Sequence, residues 1–303
     1  MHTHTPDQLR KGYLSALVVV LIWTGFIVTS RMAGKSPLTP YDMIAVRYVV
    51  AAFGILPFWL RHRTHLWEWR KIVLTCAGAL GFTLLAFNGF HRTMASHAGI
   101  LMQGFLPFSV SVMAYFLAGE KPSRQRLWGL ALIFIGVASM AVESFSGSDF
   151  GTTALGDGFM LCASLCWALY TVLLRRWNIP PMDSAIAVTL LAAILYLPVY
   201  LLFLPKNITE TPWQVLALHG FYQGILVAVV QMIFYTRAVS QLGATRLAMI
   251  TSCVPVLASV VAAILPQLSE PLTLPICIGL VFVMLGAFVG NRQPKIIPPL
   301  PCD

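Results

Sequence analysis

Long apolar runs alternate along the chain with short polar breaks that are mostly basic. Windows free of Asp, Glu, Lys and Arg cover 12–30, 48–60, 72–90, 93–119, 127–142, 158–174, 184–205, 211–236, 247–269 and 271–291. A helix of about 20 mostly apolar residues spans the hydrocarbon core of a bilayer. The second window reaches that length if it starts near Tyr41 and tolerates Arg47. The pattern therefore predicts ten helices, at 12–31, 41–60, 71–90, 95–118, 126–143, 155–175, 183–204, 213–237, 244–266 and 272–290. The windows are too long for barrel strands and lack their alternation. The first run follows Arg10 and Lys11 but exceeds a signal-peptide core, and no small-x-small site follows it, so it is expected to stay as helix one.

Composition makes the membrane reading firm. Of 303 residues, 58% are hydrophobic and 10% charged, with a mean hydropathy of +0.78. A water-facing domain carries roughly 25% charged residues. The net charge of +9 does not point to nucleic acid, because the basic residues sit between apolar runs as cytoplasmic loops do. With the N-terminus inside, fifteen Lys and Arg fall on the cytoplasmic side. Arg31, Lys35, Arg92 and Lys206 fall outside, and Arg47 lies within helix two. Both termini of this multi-pass membrane protein are thus expected in the cytoplasm. The cysteines (Cys76, Cys162, Cys166, Cys253, Cys277 and Cys302) show no zinc or disulfide spacing and read as packing residues, so neither metal nor cofactor is expected.

The halves repeat. Gly12, Trp23 and Arg31 have the spacing of Gly156, Trp167 and Arg175; Asp42 and Pro57 that of Asp183 and Pro198; Gly81 and Asn88 that of Gly224 and Gln231; Glu120, Gly129 and Gly136 that of Glu270, Gly279 and Gly286. The expected organisation is a cytoplasmic N-terminus (1–11), a five-helix repeat (12–143), an outer loop (144–154), a second five-helix repeat (155–290) and a cytoplasmic tail (291–303). An odd number of helices per copy inserts the second copy upside down. Inverted repeats are an architecture of secondary transporters, whose site lies near the midplane where the copies meet. Pro107 and Pro255, deep in helices four and nine, serve either as hinges or as static kinks. The glycines of helices five and ten, including Gly286–Gly290, allow close helix packing or a dimer contact, and the oligomeric state stays open between monomer and dimer.

The segments Leu21-Ile22-Trp23-Thr24-Gly25 and Leu165-Cys166-Trp167-Ala168-Leu169, Arg47-Tyr48, the proline-bearing helix four and Leu117-Ala118-Gly119-Glu120-Lys121 resemble the drug/metabolite transporter superfamily, EamA type, over about 10–292. Within it the chain is similar to bacterial YddG-type exporters of aromatic and other neutral amino acids. The resemblance implies a ten-helix basket around a cavity lined by helices 1, 3, 4, 6, 8 and 9. The second half departs from the pattern, with Val188 in place of the helix-two arginine and Leu268-Ser269-Glu270 lacking the glycine.

The eleven acidic residues all fall in loops or at predicted helix ends. Proton-driven pumps and carriers of cationic drugs need a buried carboxylate, so a neutral or zwitterionic solute moving down its gradient fits better. His91 and His97 are expected near the outer face, as interfacial residues or proton carriers. Arg47, about 9 Å into its helix, binds a substrate carboxylate, snorkels to the interface, or pairs with Asp42 or helix carbonyls. Candidate cavity residues are Trp23, Thr24, Asn88, Gln103, Trp167, Tyr170, Thr171, Gln231, Tyr235 and Ser252, whose few polar groups and large aromatic area suit apolar amino acids and loose selectivity. The leading expectation is an exporter of neutral amino acids in the lipid bilayer, working by alternating access. The alternatives are export of another metabolite or drug on the same scaffold, or proton-coupled antiport. A phosphorylated substrate would need more than one midplane cation. From a different class come a non-transporting receptor and a membrane-bound enzyme, and an enzyme would need a reactive constellation that the outer loops do not offer.

Overall fold

The computed structural model describes residues 6–146 and 150–291. Among them there is no strand, and the helical segments are α1 (Pro6–Gly34), α2 (Pro40–His62), α3 (Trp69–Arg92), α4 (Ala95–Ala118), α5 (Arg124–Ser146), α6 (Phe150–Arg176), α7 (Pro181–Phe203), α8 (Trp213–Leu242), α9 (Ala244–Thr251 and Val254–Ile264) and α10 (Leu274–Asn291). Eight segments are long and apolar enough to cross a membrane; α5 and α10 are not among them. Helix ends stray from the sequence expectation mainly where polar residues continue a helix past the apolar run. α1 begins at Pro6 rather than 12, and α5 and α6 extend into the expected 144–154 loop. The tail beyond Asn291, Asp149 and the Glu143 side chain lie outside the described residues.

Packing follows the repeat. α1 lies against α8 and α9, α6 against α3 and α4, α2 against α7, and α5 against α10. Each half thus packs largely on the other. Aspartates at matched positions tie the halves together: Asp42 caps α2 with Thr39 and accepts from Tyr200 and the Asn207 amide, and Asp183 accepts from Thr64. In the α5–α10 seam glycine is required, because a Cβ at Gly129 would sit 2.5 Å from the Gly290 Cα. These glycines therefore serve packing within one chain.

The prolines restart helices. In α4 the backbone loosens at Phe105 (φ −79°, ψ −12°) and resumes with Pro107 in its first turn; in α9 Cys253 (φ −78°, ψ −11°) precedes Pro255 in the same way. Proline is tolerated there because a first-turn amide has no helical partner to lose. Both helices are thus jointed at matched positions.

The helix directions follow from the contacts at the two ends of α4. Its Ala95 end meets Glu270 and, through it, the C-terminal part of α1 at Arg31. Its Leu117–Glu120 end meets the C-terminus of α6 at Arg175 and Arg176. A helix of 24 residues separates those ends by about 36 Å. The matched helices α1 and α6 therefore end on opposite faces of the bundle.

Candidate functional site

Between the two halves lies an open cleft. α1 contributes Trp23 and Phe26, α2 Arg47, α3 Phe82, and α4 Met102, Gln103 and Leu106; α6 adds Trp167, and α8 Val227 and Gln231. Wide π-helical turns set several of these positions. Gly99–Gly104 carries Met102 and Gln103, Phe221–Val230 carries Val227, and Cys76–Gly81 directly precedes Phe82. Such turns re-aim side chains within a helix and leave its hydrogen bonds in place, a device frequent at functional sites.

The walls are aromatic. Trp167 packs against Phe82 (centroids 5.1 Å apart), and Trp23 stacks with Tyr235 at 6.0 Å. The polar groups are few. Arg47 donates from Nη1 to Gln223 Oε1 (2.7 Å), its guanidinium lies 5.9 Å from the Phe26 ring centre, and Gln223 donates on to Ser30 Oγ (2.8 Å). Arg47 is the charged residue of the lining, and no acidic residue faces the cleft among the described residues.

The structure brings together Trp23, Arg47, Gln103, Trp167 and Gln231 from the sequence candidates. Tyr235 adjoins them through Trp23, and Tyr170 through Trp167 (5.2 Å), although the Tyr170 hydroxyl pairs with Ser184. The others stand apart from the lining. Asn88 donates to Leu84 O and accepts from Arg92, while Thr171 and Ser252 each donate to a carbonyl of their own helix. Thr24 is buried, its hydroxyl without a hydrogen-bond partner. Pro255 packs on Gly99, and Pro107 borders a separate gap beside Gly129 and Gly286. The expected pairing of Arg47 with Asp42 is corrected: Asp42 spends its oxygens on Thr39, Tyr200 and Asn207. Phe26, Phe82, Met102, Leu106, Val227 and Gln223 were not singled out by the sequence. Apolar residues carry no marker in a chain this apolar, whereas Gln223 was findable, since a glutamine inside a span needs a partner.

The cleft is closed toward one end of the bundle. Residues 95–102 of α4 are all buried, whereas from Gln103 to Ala114 buried positions alternate with half-buried ones, and Tyr115 and Phe116 are exposed. A Cβ at Gly99 would come within 3.1 Å of the Pro255 Cα, so α4 and α9 cross tightly there. Beyond the crossing, Glu270 (5% exposed) accepts from Arg31 (2.7 Å) and from the Ala95 amide (2.6 Å), and Lys35 stands 3.9 Å away. His97, completely buried, places Nδ1 3.0 Å from both Asp157 oxygens, and Thr93 donates to the same carboxylate. His97 was expected at an interface; it is instead sealed between α4 and α6. Toward the other end, Glu120 and Arg175 form the matched ion pair, 47% and 60% exposed. No group of three or more His, Cys, Asp or Glu could hold a metal among the described residues, and the five described cysteines are free thiols.

Comparison with known proteins agrees with the doubled architecture. The model of the EamA-like transporter family matches residues 10–142 and again 154–292. The chain is 24% identical over 295 residues to a probable amino-acid metabolite efflux pump of Salmonella typhimurium, covering 93% of this chain and 94% of that one. It is 25% identical over 302 residues to the uncharacterized inner membrane transporter YedA of Escherichia coli K12, covering 95% and 94%. It is also 26% identical over 235 residues to the uncharacterized transporter YyaM of Bacillus subtilis, covering 74% of each. A solved structure titled only as a crystal structure of a protein shares the fold, with a TM-score of 0.61 at 17% identity over 92% of this chain and 95% of that one.

Proposed function

The chain belongs to the EamA-like transporter family, and from that premise we propose that it exports neutral amino acids, aromatic and other apolar or small ones, across the inner membrane by alternating access. The observation that carries this reading is the cleft, uncharged but for Arg47, aromatic-walled and built from both matches to the family model. The efflux-pump relative supports the substrate class and the direction.

In this reading α5 and α10 complete ten spans, and the opposite ends reached by α1 and α6 make the two halves inverted repeats. The excess of Lys and Arg puts both termini in the cytoplasm. The Glu120 end then faces the cytoplasm and the Glu270 end is the sealed outer gate, so the structure is the state in which an exporter loads. With no carboxylate in the lining, transport follows the solute gradient.

A second reading, proton-coupled antiport, is favoured by one observation: the buried His97–Asp157 pair between α4 and α6. One experiment addresses both. The protein in liposomes should take up labelled phenylalanine and threonine faster than empty vesicles do, at rates indifferent to an imposed pH gradient. Rates that follow the gradient transfer the assignment to antiport, and uptake no faster than in empty vesicles removes the amino-acid reading.

A further inference from the structure

Arg47 is a half-buried cation in a membrane-spanning helix, without a counter-ion among the described residues. A charge in that position is costly unless it is paired. Its nearest acid in sequence, Asp42, is fully engaged elsewhere. The guanidinium has five N–H donors, and one hydrogen bond to protein is made, to Gln223 Oε1; the rest have no protein acceptor among the described residues. Gln223 is completely buried and held in turn by Ser30, also completely buried. The relay therefore fixes one edge of the guanidinium and leaves the rest to a cleft of aromatic rings.

From this geometry we infer that Arg47 is the receptor for a substrate carboxylate, with Gln223 as its positioning residue, and that the carboxylate, not the ammonium, is the obligatory recognition element. The substrates are small monocarboxylates with an apolar or aromatic body, of which neutral amino acids are one subset. Guanidinium and carboxylate match as a two-point fork and cancel each other's charge. An ammonium meets no acid here. It finds the amides of Gln103 and Gln231 and the ring faces of Trp23 and Trp167, contacts worth less than an ion pair. Removing the amine therefore costs little binding, and removing the carboxylate costs most of it. The inference rests on the reading of the cleft as the solute site and deepens it by naming the group that is recognised.

The test uses the full chain in liposomes and competition against phenylalanine counterflow, which passive leakage of the competitor does not mimic. 3-Phenylpropionate, lacking the amine, should inhibit within about threefold of unlabelled phenylalanine. Phenylalaninamide, lacking the carboxylate, should be at least tenfold weaker. Gln223→Glu keeps Arg47 but supplies it with an internal counter-ion, and should cut the acid's advantage over the amide at least tenfold. Arg47→Gln should abolish that advantage, and Arg47→Lys should retain part of it. A general folding defect would weaken acid and amide together and leave their ratio unmoved. An amide as potent as the acid, or an unchanged ratio in Gln223→Glu, overturns the inference while leaving transport in place. Should wild type show no counterflow, thermal shifts with the same compounds decide: stabilisation by the acid and not the amide upholds the carboxylate receptor and discards only the amino-acid transport reading, and the converse discards the receptor.

Discussion

The two ends of the bundle carry the same chemistry in different surroundings. Arg31 and Arg175 occupy matched positions in the halves, as do Glu270 and Glu120, and each arginine pairs with the glutamate of the other half. At one end the pair is buried and gathers Lys35 and the Ala95 amide around one carboxylate. At the other it stands mostly in solvent. The helices follow suit. Gly99 presses on Pro255 at the first end, while Leu247, the residue matched to Gly99, is buried with Ala16, Ala238 and Leu242 instead of against Pro107. Duplicated sequence thus does not give a symmetric molecule. In the alternating-access reading proposed above, a carrier built from two like halves closes one end at a time, and the buried or exposed state of the matched ion pair reports which end is closed.

That comparison makes its largest prediction at Glu270. Glu270→Gln leaves the buried Arg31 an amide oxygen and the Phe90 carbonyl but no counter-charge, and can turn an amide NH2 toward the Ala95 N–H. Breaking a buried ion pair costs about 3–5 kcal/mol, and the sealed end should open. Glu120→Gln removes an exposed pair worth about 0–1 kcal/mol and should change little. A cysteine in place of Ser96, 2% exposed in the first turn of α4, reads the difference once the six native cysteines are replaced. Labelling by an impermeant maleimide from the Glu270 side should accelerate more than a hundredfold in Glu270→Gln and less than about fivefold in Glu120→Gln. Equal rates in the two variants would break the comparison, since burial would then make no difference to the latch.

A second contrast sits in the middle of the bundle. Asn88 and Gln231 are matched by the repeat, yet Gln231 lines the cleft and Asn88 is bound to Leu84 and Arg92. Gln231→Leu should raise the KM for phenylalanine about 3- to 10-fold, the worth of one neutral hydrogen bond. Asn88→Ala should lower thermal stability and leave KM within about twofold. A KM that rises equally in both would mean that substrate reaches past the observed lining.

These two residues also mark where sequence stopped being informative. Apolar run length located the helical segments, and the matched Trp23 and Trp167 both fall in the lining of the cleft, because a bilayer imposes run length on sequence directly. Arg47, Gln103 and Gln231 were legible for the same reason: a polar group in hydrocarbon needs a partner or water. Asn88 obeyed that rule with a partner one turn along its own helix, Arg92, which spacing alone could not distinguish from a cavity. The π turns were invisible. They shift the face presented by 99–104 and 221–230 relative to an ideal helix, so Met102, Val227 and Gln223 fall where a 3.6-residue period does not put them. The asymmetry of the ends was illegible as well, since both ion pairs are written with the same residues.

The smallest prediction concerns the residues just before the two glutamates. Gly119 has φ +68° and open space around it, and Ser269 adopts the same left-handed region at φ +46°. A non-glycine residue there costs about 1–2 kcal/mol, offset by the roughly 0.5–1 kcal/mol that glycine loses in chain entropy on folding. Gly119→Ser should therefore destabilise by about 0.5–1 kcal/mol. The reverse exchange is not its mirror image, because Ser269 Oγ donates to Pro266 O at 3.0 Å. Ser269→Gly relieves the strain but gives up that bond, of about 0.5 kcal/mol at an exposed site, and should come out near neutral. Thermal melts in detergent would check both. A clear stabilisation by Ser269→Gly would show that the serine strains the turn that presents Glu270, and that the sealed end is held against a local backbone cost which its glycine-bearing counterpart does not carry.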